Sequence, residues 1–425
     1  MQKDLRIAKL REIANGNPCM TGIKLKYQGQ PSLYNAYKIP LDYLIYNKYN
    51  GRIGSLVKSY ELQYRALNAE VREDDDLIGK FLWDSKRDSN ERTMNDLIEK
   101  GQQRYGIVTK DGIIIDGNRR AMLLKKIWHG RGKHDVGDCE YFVAVILPVE
   151  GITKDVVKLE TTYQMGEDEK LGYDAIEKYL KCKDLRELDF SVQDIANMMG
   201  EEKVQITEWL EIMKLMDSYL EYLGYKGIYT RLEKREGQFV DLDRYLKRYE
   251  TKKSSMVEWG YDKSDISDLR SICFDYIRAQ YEGKDFRYIA QPSKTDSVFC
   301  NEKVWNEFRD LHLKSIDGIN EKSINIWRKD HPDADLTVLL RNRDHEWTEA
   351  VEDKLKENLG KAKYHLDNIK ESNQPLALLT RAKNTMESVN TKVKEFYEPA
   401  VDKILKEIGS IIWEYKKLLE RKGKK

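Results

Sequence analysis

The residues with the clearest chemical potential form one short polar turn, Asp116–Arg120, which reads Asp-Gly-Asn-Arg-Arg. The β-branched run Ile113–Ile115 precedes it, and apolar residues at helical spacing follow it: Ala121, Leu123, Leu124 and Ile127. The order strand, tight turn, helix directs the first N–H groups of a helix at whatever lies above the strand end, and anions bind there readily. Two adjacent arginines add planar, permanently charged donors that suit phosphate. The turn therefore predicts an anion site.

Two elements must hold this turn in place. The β-rich runs Tyr105–Val108 and Ile113–Ile115 flank an Asp-Gly pair, Asp111 and Gly112, which is a strong signal for a β-hairpin. Further along, Tyr141–Leu147 is a continuous apolar run that predicts a buried strand.

Other parts of the first hundred residues carry weaker patterns. Residues 29–53 contain Gly, Pro and Asn at short intervals, and this predicts irregular chain with short extended pieces. The acidic stretch Glu73–Asp76 predicts a solvated loop or a helix end.

The composition excludes several classes of protein. Among 425 residues, 74 are Lys or Arg and 73 are Asp or Glu, so a nucleic-acid role has to be local. No apolar run approaches the roughly 18 residues of a membrane span, and we expect a soluble, cytoplasmic protein without membrane contact. The five cysteines and six histidines lack ligand spacing, so we expect neither a disulfide framework nor a zinc site.

Three segments, in this order, resemble the ParB/sulfiredoxin superfamily. Ile39–Arg52 is similar to its opening strand and Asn/Arg loop, Asp96–Leu124 contains a box similar to G-x-R-R-x-x-A, and Val143–Glu160 is similar to the following strand and Glu-bearing helix. With the helical segment that follows, the resemblance covers roughly residues 39–224. It implies a small mixed α/β domain that binds the triphosphate of a nucleotide, CTP in the partition proteins, together with Mg²⁺.

The same resemblance implies roles for individual residues. The nucleotide-binding residues would be Arg52, Gly117, Asn118, Arg119 and Arg120. Glu160 would stand near the metal and the attacking water, as a metal ligand and catalytic residue. We therefore expect an NTP, either CTP or ATP, with Mg²⁺ as the ligand set.

The chain also departs from the family pattern. The family follows its Glu with Asn and later Arg, whereas Glu160 is followed by Thr-Thr-Tyr-Gln-Met, and Gly101–Tyr105 lacks the family's proline. Hydrolysis is thus less well supported than binding. Asp-Gly-Asn-Arg-Arg also resembles turns of restriction and DNA-modification proteins. An alternative is therefore a nuclease or phosphotransferase of an anti-phage defence or mobile-element system, with Asp116 and Glu160 as the acting carboxylates. A non-catalytic scaffold is a further alternative.

Ser191–Met216 has the pattern of a helix-turn-helix, with apolar, small and glycine residues where two helices must cross closely. If its second helix enters a major groove, Lys203, Gln205 and Thr207 would read the bases. Two bases against five acids between Ser191 and Leu215 oppose approach to a phosphate backbone. A purely structural helix pair is nearly as well supported.

These patterns predict an α+β protein: a ParB/sulfiredoxin-like mixed domain, then a helix-turn-helix domain and a largely α-helical C-terminal half. The predicted boundaries are 1–150, 151–230, 231–340 and 341–425. In the last domain we expect three long helices, His345–Ile369, Leu376–Tyr397 and Pro399–Leu419. Their apolar stripe predicts a bundle core, a homo-oligomer seam or a site for a partner protein.

Overall fold

The computed structural model describes residues 1–131, 139–167, 173–251, 257, 259–293, 296–332, 334–371 and 375–422. The chain separates into two compact units, Met1–Leu359 and Gly360–Lys425. The first unit is mixed α+β and contains a five-stranded sheet, while the C-terminal half of the chain is largely helical, as predicted. The four-domain division stays a prediction. In the described part of the chain, no helix is both long and apolar enough to cross a membrane.

The sheet consists of β1 (Met20–Tyr27), β2 (Gln30–Pro40), β3 (Gly106–Thr109), β4 (Ile114–Asp116) and β5 (Tyr141–Leu147). Its strand order is β1-β2-β5-β3-β4. β3 and β5 are parallel, and the other neighbouring pairs are antiparallel. The predicted hairpin and the predicted strand are both confirmed, because β3 pairs with β4 and β5 has the predicted limits.

Both faces of the sheet are covered, and this accounts for the apolar runs in its central strands. Along β5, Phe142 and Ala144 belong to a core that also contains Leu10, Ile78 and Leu124 from helices. The alternate residues Val145 and Leu147 belong to a second core, with Val156 and Leu159. Helices therefore pack on both sides of the strands that end at the polar turn.

The helices around the sheet are α1 (Lys3–Ala14), α2 (Gly54–Gln63), α3 (Arg72–Asp84), α4 (Arg87–Lys100), α5 (Asn118–His129) and α6 (Lys154–Thr161). A short 3₁₀ turn, Leu41–Tyr43, follows β2, and a π-helical turn, Thr162–Glu167, follows α6.

The prediction of irregular chain over residues 29–53 is wrong for its first part, because β2 is an 11-residue strand. Pro31 pairs with Lys26 of β1, whereas pairing of β2 with β5 begins only at Ala36. The missing N–H of Pro31 therefore lies where β2 has a single neighbour, which a strand tolerates.

The acidic stretch Glu73–Asp76 lies in the first turn of α3, so the expectation of a helix end is confirmed, with Glu73 and Asp76 exposed and Asp74 and Asp75 buried. The Asp74 carboxylate accepts hydrogen bonds from the Arg65 guanidinium at 2.6 and 2.7 Å. Asp75 accepts the backbone N–H of Tyr46 at 2.7 Å and the ammonium of Lys125 at 3.0 Å. Both side chains are buried because these long-range partners compensate their desolvation.

The rest of the first unit is helical. It comprises α7 (Ala175–Glu187), α8 (Val192–Met199), α9 (Lys203–Tyr222), α10 (Glu236–Glu250), α11 (Lys263–Arg278), α12 (Gly283–Ala290), α13 (Glu302–Asp317), α14 (Ile324–Asp330) and most of α15 (Leu336–Glu371). A 3₁₀ turn, Tyr229–Leu232, precedes α10.

A buried polar network lies within this helical region. Asp344 of α15 is 4% exposed, and its carboxylate accepts from Arg231, from Arg278 Nε at 2.9 Å and from the hydroxyl of Tyr225 at 2.8 Å. The two arginines hold the pKa of Asp344 below its usual range although burial alone would raise it. The network ties the segment that carries Tyr225 and Arg231 and the end of α11 to one carboxylate of α15.

The second unit contains the end of α15, then α16 (Pro375–Glu387), a 3₁₀ turn at Lys394–Tyr397 and α17 (Pro399–Lys422). The predicted helix Leu376–Tyr397 is therefore wrong beyond Glu387. Proline begins both α16 and α17, at the position where its missing N–H costs no helical hydrogen bond.

Candidate functional site

The polar turn is shaped by Gly117, which lies between β4 and α5 with φ +93°. A Cβ at this position would lie 2.6 Å from the ring of Phe142, so both conformation and space require glycine. The tight turn places the first N–H groups of α5 beside the end of β4, as the sequence predicts.

Asn118 is buried, with 2% exposure, and its side chain is used within the protein. Its amide nitrogen donates to the Ile114 carbonyl at 2.8 Å, and its oxygen accepts the backbone N–H of Asn47 at 2.9 Å. Any ligand role for Asn118 therefore falls to its backbone. The side chain instead positions the segment 47–53, which we call the Asn loop.

Further amide contacts fix the Asn loop from its other side. The Asn47 amide donates to Glu160 at 3.0 Å, and the Asn50 amide donates to Gln164 at 3.3 Å. Gln164 in turn donates to the carbonyl of Ile115 in β4 at 2.9 Å. The loop is thus bonded both to α5 and to the segment after β5.

The two arginines of the turn have different surroundings. Arg119 donates to Asn90 Oδ1, to Ser89 Oγ at 2.7 Å and to Thr93 Oγ1 at 3.2 Å, all on α4. Arg120 forms an ion pair with Asp116 at 2.8 Å and donates to the Arg104 carbonyl at 3.1 Å. Arg52 stacks on the ring of Tyr173, with its guanidinium carbon 4.4 Å from the ring centre.

These elements enclose an open cleft of about 440 Å³. The ionisable residues that line it are five cations and two acids: Arg52, Lys100, Arg104, Arg119, Arg120, Asp96 and Asp116. Asp96 pairs with Lys100 at 2.9 Å, as Asp116 pairs with Arg120. The described lining thus carries three positive charges in excess, which favours an anionic ligand.

Glu160 does not line this cleft, in contrast to Asp116 and the predicted nucleotide-binding residues. It is 1% exposed, and its carboxylate pairs with the ammonium of Lys181 on α7 at 3.3 Å. Burial raises the pKa of Glu160, and the positive charge of Lys181 acts in the opposite direction. The arrangement links α6, α7 and the Asn loop.

The donor set does not fit a protein-held Mg²⁺. Across the described ranges, no group of three or more His, Cys, Asp or Glu side chains could hold a metal ion. Of the two predicted carboxylates, Asp116 pairs with Arg120 and Glu160 with Lys181. The described residues therefore offer no carboxylate cluster that would hold magnesium by itself.

The predicted helix-turn-helix segment forms α8 and α9. The Ser191 and Asp194 side chains form a capping box at the start of α8, and Gly200 ends it with φ +61°. At the start of α9, Lys203 and Thr207 are exposed and Gln205 is half-buried. The geometry of two helices joined by a tight turn is present, while DNA binding stays a prediction.

Several cleft residues were not predicted. Lys100 and Arg104 lie on either side of the break between α4 and β3, and the charges that flank Gly101 are the available sequence signal. Gln164, which also lines the cleft, had no such signal, because its role depends on long-range contacts with Asn50 and Ile115. The same holds outside the cleft for Lys181, which pairs with Glu160.

No family model matches the chain, and no curated protein is a significant sequence match. Among solved structures, the chain is similar to a C-terminally truncated chromosome-partitioning protein ParB from Caulobacter crescentus, complexed with CTP-gamma-S. The sequence identity is 13%, the match covers 49% of this chain and 92% of that chain, and the TM-score is 0.19. A TM-score of this size does not establish a shared fold.

Proposed function

We propose that this protein binds a nucleoside triphosphate, CTP or ATP, in the cleft at the polar turn, and that occupancy of the cleft controls association with DNA. The observation that carries the proposal is the convergence of five cationic side chains on the junction between β4 and α5. Anions bind at such junctions because helix N–H groups and cations act together.

The cleft suits a polyphosphate better than a single small anion. Its cations come from three segments: Arg52 from the Asn loop, Lys100 and Arg104 from the α4–β3 connection, and Arg119 and Arg120 from α5. A chain of phosphates can contact all three. Its volume of about 440 Å³ also falls within the range of small-molecule sites.

Binding is proposed without a hydrolytic step. Mg²⁺ would accompany the phosphates and reduce their mutual repulsion. The residues of this chain would orient the phosphates by charge-assisted hydrogen bonds from Arg52, Arg104 and Arg119.

The DNA contact is proposed for the start of α9, where Lys203, Gln205 and Thr207 lie. Glu201, Glu202 and Glu208 lie close by in sequence and repel a phosphate backbone. We therefore expect weak intrinsic affinity for DNA, which a nucleotide can regulate. A nucleotide that binds one conformation of the protein better shifts the population toward that conformation.

Nucleotide binding is tested by isothermal titration of CTP, ATP and GTP with Mg²⁺. Arg104→Ala removes one exposed cation. It should lower the affinity for the preferred nucleotide by roughly ten- to a hundredfold, equivalent to about 1.5–3 kcal/mol for one charge-assisted contact. Arg119→Ala combined with Arg120→Ala should abolish binding.

The matched control is Arg72→Ala with Arg92→Ala, which removes two exposed arginines that do not line the cleft. It should bind as the parent protein does. Circular dichroism establishes that each variant is folded. If the folded Arg119→Ala/Arg120→Ala variant binds nucleotide with the same affinity as the control, the proposal is wrong.

The DNA step is measured separately, by fluorescence anisotropy of labelled duplex DNA with and without nucleotide. Lys203→Ala with Gln205→Ala should weaken DNA binding and leave nucleotide affinity unchanged. If the DNA affinity is the same with and without nucleotide, the proposal that nucleotide controls DNA binding is wrong. The proposal of nucleotide binding would then still stand.

A further inference from the structure

The C-terminal helix α17 carries a regular apolar pattern. Six positions are separated alternately by three and four residues: Val401, Ile404, Ile408, Ile411, Tyr415 and Leu418. A second line repeats every seven residues beside the first: Leu405, Ile412 and Leu419. We call these nine side chains the α17 seam. An apolar pattern that repeats every seven residues, here three times, is typical of helices that supercoil around one another.

The seam is largely open to solvent. Seven of its nine side chains are exposed, from 44% for Leu405 to 72% for Leu419. At roughly 100 Å² for each of these side chains, they present on the order of 700 Å² of surface, close to the roughly 800 Å² that one partner contributes to a stable interface. Scattered exposed leucines are ordinary, but a continuous apolar face of this size indicates an interaction site.

The other side of α17 is polar and makes contacts of its own. Lys406 pairs with Asp402 at 2.6 Å, and the ammonium of Lys417 lies 3.8 Å from the ring centre of Trp413. Trp413 is therefore an aromatic side chain that its own helix partly covers, and it lies outside the seam. The helix thus has one polar, solvent-facing side and one apolar side that is suited to packing against another helix.

We infer that α17 associates with α17 of other copies of this chain, so that the protein self-assembles through the α17 seam. The occupant of a seam must present the same seven-residue period over the same length, and a second copy does so by construction. Three apolar positions in each repeat match a helix that faces a bundle core. This inference is independent of the proposed nucleotide binding.

The full-length protein, of 50.0 kDa, should elute with a mass of two or more chains when light scattering follows size exclusion. Ile404→Glu combined with Ile411→Glu places two charges in the seam and should yield the single-chain mass. The matched control is Lys403→Glu with Ser410→Glu, which places the same residue one position earlier on the exposed polar side. The control should keep the mass of the parent protein.

Circular dichroism should show that both variants keep their helical content, since neither site lies in a core. A parent protein with the mass of one chain would overturn the inference. So would a seam variant that keeps the parent mass, or loss of assembly in both variants, because the effect would then not belong to this face.

Discussion

The side-chain oxygen of Asn118 accepts the backbone N–H of Asn47 at 2.9 Å, although 71 residues separate the two. This single bond joins the helix that follows the polar turn to the loop that carries Arg52. The shape of the cleft therefore depends on a residue whose side chain does not need to touch the ligand.

Asn118→Ala should lower the free energy of unfolding by about 2–4 kcal/mol, because it leaves the Asn47 N–H and the Ile114 carbonyl buried without their partner. Urea denaturation followed by circular dichroism measures the change. Asn197→Ala, at an exposed position of α8, is the control and should change stability little. A similar small effect of Asn118→Ala would show that the loop does not depend on this bond.

Glu160→Gln should destabilise the protein by about 3–5 kcal/mol, because it leaves the buried ammonium of Lys181 without its counter-charge. Combining it with Lys181→Met should recover part of that loss. A double-mutant cycle in urea measures the coupling. Strictly additive losses would contradict the ion pair as a structural link.

Glu177 of α7 gives stability a defined pH dependence. Its carboxylate accepts the backbone N–H of Ser55 at 3.2 Å and also the Ser55 hydroxyl, at the start of α2. Burial raises the pKa of Glu177 from 4.5 to about 7. Between these values the folded state holds a proton that the unfolded state releases, so this group's contribution to stability is full below pH 4.5 and is lost as the pH rises to about 7.

Glu177→Gln should remove that component, so the difference between parent and variant should grow in the variant's favour across the same interval. Its size should be on the order of 3 kcal/mol, at about 1.4 kcal/mol per pKa unit. Urea midpoints at a series of pH values give the difference, and Glu187→Gln on an exposed position of the same helix is the control. A pH-independent difference would rule out the protonation of Glu177.

Asp344→Asn should cost about 3–5 kcal/mol, because Arg231 and Arg278 would remain buried without their shared carboxylate. Asp353→Asn, on an exposed position of α15, should have little effect. Thermal and urea unfolding both report the difference. Equal stability of the two variants would show that the arginines find other partners.

The local part of the site could be predicted from sequence. The Asp-Gly pair at Asp111 and Gly112, the β-branched runs beside it and the apolar spacing after Arg120 each act within a few residues. Together they predicted the hairpin, the glycine turn and α5. Short-range backbone preferences are sufficient for such elements.

The long-range part could not be predicted. Pro31 indicated a break, yet the pairing of β2 with β5 starts after it. In the sequence Asp74 and Asp75 have the pattern of solvated acids. Their burial depends on the ion pairs with Arg65 and Lys125, which form only in the fold. The metal role of Glu160 followed from the family resemblance alone, and its pairing with Lys181 had no signal in the sequence because that pairing depends on how α6 and α7 pack.

Phe142 limits how this sequence can change over evolutionary time. A Cβ at Gly106 would lie 2.3 Å from its ring, as a Cβ at Gly117 would lie 2.6 Å away. Neither glycine can be replaced while the phenylalanine stays where it is, and a smaller residue at position 142 would leave a hole between them. Homologous chains should therefore keep glycine at position 117, where φ +93° requires it whatever residue stands at 142, and should vary little at positions 106 and 142.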